Sequence, residues 1–183
     1  KQLLETLRAK SNLISILSVD LINDSYKSAF AKWVEESGKV DALINNAGQL
    51  INKPFLETTA AEFKAQFDAN VVTAVKLIQT TVPFCAKNAH VVNISSMGGL
   101  QGSSKYPGLS AYSASKGALS VLTECLSVEL KAQHISVNAL ALGAVQTEML
   151  ESAFPGYEAP VTPQEMATYI LGFATTGHKY HNG

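Results

Sequence analysis

Ser110-Ala111-Tyr112-Ser113-Ala114-Ser115-Lys116-Gly117-Ala118-Leu119 opens a segment whose apolar residues continue through Val121, Leu122, Cys125, Leu126, Val128 and Leu130. That spacing predicts a helix. Tyr112 and Lys116 are then one turn apart on a single face. A phenol with an ordinary pKa of about 10 is a poor acid or base at neutral pH. A neighbouring ammonium favours the phenolate, so the pair reads as a proton-transfer device whose phenol is depressed by Lys116. Tyr and Lys at this spacing also occur on solvated helix faces, and the rest of the chain decides between the two.

Short apolar runs precede and follow that helix. Leu13–Val19 ends at Asp20-Leu21, Val40–Ile44 ends at Asn45-Asn46-Ala47-Gly48, His90–Ile94 ends at Ser95-Ser96, and Ile135–Leu140 is followed by Leu142-Gly143. Between them lie helical patterns. One contains Phe30, Trp33 and Val34 and stops at Gly38; another follows the capping-box form Thr59-Ala60-Ala61-Glu62 and ends at Pro83. The opening residues, with Leu3, Leu4 and Leu7, also read as helical. Strands alternating with helices imply an α/β fold, a doubly wound parallel sheet with helices on both faces, in one domain covering residues 1–183. In such sheets ligands bind beyond the carboxyl ends of the strands. Asp20, Asn46, Ser96 and Gly143 all follow strand ends, on the rim where the Tyr112 helix starts.

Composition narrows the function classes. The chain has 183 residues, 46% apolar and 16% charged, with a net charge of −1. It carries no basic run to serve nucleic acid or an anionic membrane. No apolar run reaches the ~20 residues of a bilayer span. The expected location is the cytoplasm. Cys85 and Cys125 are expected to be buried free thiols, and His90, His134, His178 and His181 surface or strand-end residues without metal spacing. No metal site is expected.

The motifs together resemble the short-chain dehydrogenase/reductase family, including its 3-oxoacyl-reductase-like members. They are Asp20, Asn45-Asn46-Ala47-Gly48, Asn70, Ile94-Ser95-Ser96, Tyr112 through Lys116, and Asn138 through Thr147. The resemblance implies a Rossmann-like fold, NAD or NADP as cofactor, and interconversion of a carbonyl and a secondary alcohol in a small-molecule substrate. It makes Tyr112 the general acid/base, Lys116 its electrostatic partner and ribose ligand, and Ser96 (rather than Ser95) the substrate-oxygen donor. Asn70 would hold a water in a relay to Lys116. Cofactor contacts would come from Asp20, Leu21, Asn46, Ala47, Gly48, Ile94, Tyr112, Lys116, Leu142, Gly143, Val145 and Thr147. Asn45 would brace the sheet. A homodimer or homotetramer, built on the helices around Phe63–Val82 and Ala111–Leu130, would follow. A cofactor-sensing or scaffolding relative without turnover is the alternative class.

Three departures from the family pattern stand out. A glycine-rich turn after a first strand is missing, as are the first two strands and the last. These 183 residues are therefore expected to belong to a longer polypeptide, in which two strands separate Leu13–Val19 from Val40–Ile44. Leu142 stands where the family usually has proline. Surplus residues around Lys105-Tyr106-Pro107 predict a bulged loop, with Tyr106 either a specificity residue or an exposed turn residue. Glu148–Pro160 is read as a substrate lid or as a short helix on the sheet edge.

Overall fold

The computed structural model describes residues 14–22 and 26–183. The opening helical pattern at Leu3, Leu4 and Leu7 lies outside them. Three parallel strands form the sheet of the described residues: β1 (Val40–Asn45), β2 (Cys85–Ser96) and β3 (Ser136–Leu142), in the order β1-β2-β3. Around them run α1 (Tyr26–Ser37), α2 (Ala60–Phe67), α3 (Thr73–Thr81), α4 (Ser110–Glu129), α5 (Glu148–Ala153) and α6 (Pro163–Thr176).

The local signals act where the sequence puts them. Gly38 ends α1 with φ +93°, its N–H bonded to the Val34 carbonyl at 2.8 Å. Thr59 and Glu62 complete a reciprocal capping box at the start of α2. A π-turn over Asp68–Val72 joins α2 to α3 and carries Asn70 at its centre. Asn88 adopts φ +67° in β2, near the register shift between Val40 and Ala42; Asn tolerates that region better than most residues.

β2 is the central strand, and residues 89–95 are continuously buried, as expected for a strand covered on both faces. On one face Val91 and Val137 pack with Ile78, Leu126 and Leu130 from the α3 and α4 side. On the other, Val92, Ile94 and Leu140 meet Ile170, Phe173 and Ala174 of α6. The result is a three-layer αβα arrangement, as the alternation of runs predicts.

The run Leu13–Val19, whose first residue lies outside the described residues, departs from expectation over the rest. Residues 14–20 take no regular structure, with Ile16, Leu17 and Val19 each more than one-third exposed. An isolated apolar run has no ladder to join, since β1 pairs only with β2 among the described strands. The Trp33 indole holds the segment against α1 by donating to Ser15 Oγ at 2.8 Å.

The thiols and one histidine also depart from expectation. Cys125 is exposed and Cys85 half-buried, because Cys125 lies on the outer face of α4. His90 is buried within β2 rather than at the surface. Its Nδ1–H donates to the Ala174 carbonyl at 2.9 Å, and its Nε2 accepts from Asn138 Nδ2 at 2.8 Å. Asn138 also donates to the His181 carbonyl, and Asn182 accepts from the Val137 N–H, so the last residues run alongside β3.

Burial holds the His90 imidazole below its ordinary value of 6.5, opposed by the Ala174 bond and aided by the nearby His178 ring. The unfolded chain therefore takes up this proton at higher pH than the folded one. Stability should be lost as pH falls below about 6.5. Thermal unfolding followed by circular dichroism from pH 7.5 to 5 should show this decline, and His90→Gln should flatten it. An unchanged slope in the variant would remove His90 as its source.

Candidate active site

The site is assembled where the three strands end. β2 delivers Ser95 and Ser96 beside Ala141 and Leu142 of β3. Successive residues of a strand face opposite ways, which separates the two serines. Ser95 turns into α4, donating to the Lys116 carbonyl at 2.9 Å and sharing a 2.8 Å bond with Ser120 Oγ. Ser96 accepts from the Gly98 N–H at 3.2 Å, and its side chain lies near enough to Tyr112 to oppose the rise in the phenol's pKa.

Tyr112 and Lys116 come together from one face of α4, with Nζ 5.8 Å from the ring centroid. Lys116 is 5% exposed, and one of its ammonium hydrogens goes to the Ile94 carbonyl at 2.7 Å. Burial lowers its pKa to about 8. The expectation that the ammonium depresses the phenol is corrected here. Burial raises the Tyr112 pKa above 10, and the group that opposes the rise is Ser96. Removing the phenol from water disfavours its charged form.

Asn70 is 1% exposed, and both ends of its carboxamide are hydrogen-bonded. Oδ1 accepts from the Gln49 N–H at 2.7 Å, while Nδ2 donates to the Gln49 carbonyl and to Ser115 Oγ, each at 2.9 Å. One turn earlier, Gln66 Oε1 accepts from the Ile51 N–H at 3.0 Å. These two side chains fix the segment after β1 against the π-turn. A Cβ at Gly48 would lie 2.8 Å from Asn70 Oδ1 and 3.5 Å from Lys116 Nζ, so Asn46-Ala47-Gly48 runs directly beside the ammonium. Asn45 binds Asn93 Oδ1 at 2.8 Å, and Asn93 continues to Thr123 Oγ1 of α4 at 2.9 Å. That buried ladder ties β1 and β2 to the Tyr112 helix; Asn45 braces it through a side chain, not the main chain.

Beyond β3, Gly143 has open space where a side chain would project. Thr147 caps α5, accepting from the Leu150 N–H at 3.2 Å. The excursion from Glu148 to Pro160 contains that short helix and is closed at its base by Gln146. The Gln146 N–H bonds the Val161 carbonyl at 2.9 Å, and its Oε1 accepts from the Ala159 N–H. Asp20 and Leu21 sit in the irregular segment ahead of α1, where Asp20 Oδ1 accepts from the Ile22 N–H at 2.9 Å. Tyr106 is 60% exposed. It lines a separate groove of about 700 Å³ with Pro54, Phe55, Pro107, Ser113 and Gly117, outside the Tyr112–Ser96 pair.

A close approach of glycines adds a feature that residue roles do not show. A Cβ on Gly99 would lie 2.6 Å from the Gly117 nitrogen, so the turn after Ser96 packs bare backbone against α4. The signal was present as Gly98-Gly99 and Gly117, but no spacing rule joins glycines that far apart in sequence.

The residues fit a nicotinamide dinucleotide at its nicotinamide-ribose end. Backbone at Gly48 and Gly143 is bare, and Lys116 keeps two donors beyond its bond to Ile94. A Tyr-Lys helix beside a strand-end serine, on a parallel α/β sheet, defines a Rossmann-like class. The family model for short chain dehydrogenases matches residues 1–158, and the chain belongs to that family. It is 34% identical over 154 residues to cyclopentanol dehydrogenase of Comamonas sp. (strain NCIMB 9872), covering 82% of this chain and 60% of that protein. It is 32% identical over 172 residues to a 3-oxoacyl-[acyl-carrier-protein] reductase of Thermotoga maritima, covering 87% and 69%. Among solved structures, 4-hydroxyisoleucine dehydrogenase complexed with NADH superposes with a TM-score of 0.75 at 28% identity, covering 92% of this chain and 76% of that one. The chain thus spans 60% of the length of the first of these relatives. Among the described residues no helix is long and apolar enough to cross a membrane, and no group of His, Cys, Asp or Glu is placed to hold a metal.

Proposed function

We propose that the protein is an NAD(P)-dependent oxidoreductase that interconverts a ketone and a secondary alcohol, with Tyr112 as general acid/base. The observation that carries this is the placement of Tyr112 and Lys116 one turn apart on α4, with Nζ 5.8 Å from the ring, at the rim where β2 delivers Ser96. When bound, the nicotinamide supplies or accepts hydride. In reduction, Tyr112 gives its phenolic proton to the carbonyl oxygen, and burial favours the protonated form this step needs. Ser96 donates to the same oxygen as negative charge develops there. Lys116 binds the ribose, stabilises the phenolate left behind and takes part in reprotonation.

Asn70 acts on this reading by holding the Gln49 segment, and its main chain in the π-turn would face a relay water. Asn46, Ala47, Gly48 and Ile94 would line the ribose side, with Asp20 and Leu21 toward the adenine. Leu142, Gly143 and Val145 would meet the nicotinamide through backbone, and the Thr147 hydroxyl has a proton to donate after accepting its cap bond. Glu148–Pro160 forms the lid. A cytoplasmic dimer or tetramer accompanies this reading, supported by the exposed Val121 and Val128 on α4.

The test is a fluorescence titration of the intact protein with NADH and NADPH, followed by turnover of cyclopentanone and a 3-oxoacyl thioester. Binding of either nucleotide and consumption of a ketone are expected. Ser96→Ala should then lower kcat/KM about 100-fold with the cofactor Kd unchanged. Failure to bind both nucleotides would sink the reading.

A further inference from the structure

We infer that Asn52 is a latch that holds the 148–160 excursion as a strap across the substrate opening, and that Gly108 leaves free the space the Asn52 carboxamide occupies. Asn52 Nδ2 donates to the Ala153 carbonyl at 2.7 Å, joining residues 101 apart in sequence. Ala153 is the last residue of α5, on the segment leaving β3. Asn52 lies on the segment leaving β1. Since β2 sits between those strands and ends at Ser96, a bond from one segment to the other must pass over the end of β2. The strap therefore spans the rim that carries Ser96.

The two ends of this bridge are built differently. The Asn52 side is a fixed post. Asn70 grips Gln49, Gln66 grips Ile51, the Lys53 N–H bonds the Gly108 carbonyl at 3.0 Å, and the Lys53 ammonium pairs with Glu62 at 2.8 Å. Among the described residues, the hydrogen bonds that tie the strap are at its base, to Gln146, and at its tip, from Asn52. One exposed hydrogen bond thus closes a segment that is otherwise hinged.

Gly108 supplies independent support. Its φ is +85°, and a Cβ there would lie 1.9 Å from Asn52 Oδ1. The loop leading into α4 is therefore shaped around the Asn52 side chain, so all three segments rimming the opening meet at that one carboxamide.

What lies under the strap rests on the oxidoreductase reading above; the latch itself does not. Asn52→Asp keeps the shape and removes the donor, and Gly108→Ala displaces the same side chain from the other side. In the intact protein, amides of 148–157 should exchange with deuterium about tenfold faster in both variants, as one hydrogen bond is lost. With cyclopentanone as probe, KM should rise about fivefold while kcat does not fall and the cofactor Kd is unchanged. Unchanged exchange in both variants would overturn the latch. Faster exchange with KM unmoved would overturn its role in retaining substrate. A wild-type protein that reduces no ketone would count against the oxidoreductase reading, while the exchange experiment still decides the latch.

Discussion

Tyr112→Phe is expected to cut turnover by about four orders of magnitude, the upper range for a positioned acid, while leaving the cofactor Kd within about twofold. The substitution removes one oxygen. The ring stays against the Lys116 ammonium, and Ser96 keeps its bond from the Gly98 N–H. Helix α4 loses no internal bond. A fall in turnover is then a loss of proton transfer and not of fold, which equal melting temperatures would verify. The pH dependence of the wild type carries the same information. Ketone reduction needs the protonated phenol, so its rate should fall as pH rises through the phenol pKa. The Lys116 charge, leaving at about 8, should make that decline begin earlier. Alcohol oxidation needs the phenolate and should rise over the same range. Retained turnover in the phenylalanine variant would leave Ser96 or Lys116 as the proton carrier and overturn the assigned role.

The sequence was legible wherever a residue acts on its neighbours. Gly38 ending α1, Thr59 and Glu62 opening α2, and the apolar runs of β1, β2 and β3 are all short-range effects of backbone geometry and hydrophobic period. The placement of Tyr112 and Lys116 on one helical face follows from the same period. Illegible features depend on partners far along the chain. His90 is an interior residue because Ala174 and Asn138, 84 and 48 positions away, match its two ring nitrogens. Leu13–Val19 reads as a strand by composition, yet a strand exists only if a neighbour supplies its hydrogen bonds, and composition does not report the neighbour. Asn52 carries no local signal at all, since its role is set by a carbonyl 101 residues away. Burial of the Tyr112 phenol is illegible for the same reason: spacing reveals which charges are near but not how much water has been removed.

Gly99→Val should have the second largest effect, and it should act on fold and site together. The glycine carries no unusual backbone angle, so the cost is steric: a Cβ would lie 2.6 Å from the Gly117 nitrogen, 2.7 Å from the Lys116 carbonyl carbon and 3.0 Å from Lys116 Cβ. These are backbone atoms of a 20-residue helix or the stem of a buried side chain, and none can swing aside. Either α4 or the turn after Ser96 must move. Overpacking of this kind costs about 3 kcal/mol, a fall of roughly 6–12 °C in melting temperature for a chain of this size. Because the displaced elements carry Tyr112, Lys116 and Ser96, a shift of about 1 Å between them should also reduce turnover about 100-fold in the molecules that fold. Gly172→Ala provides the contrast. It adds a methyl inside α6, where no atom lies within 4 Å, and should stabilise the helix by about 0.5–1 kcal/mol. If Gly99→Val melts with the wild type and keeps its turnover, the bare-backbone contact does not position the site, and the tie between β2 and the Tyr112 helix rests on Ser95, Asn93 and the Lys116–Ile94 bond.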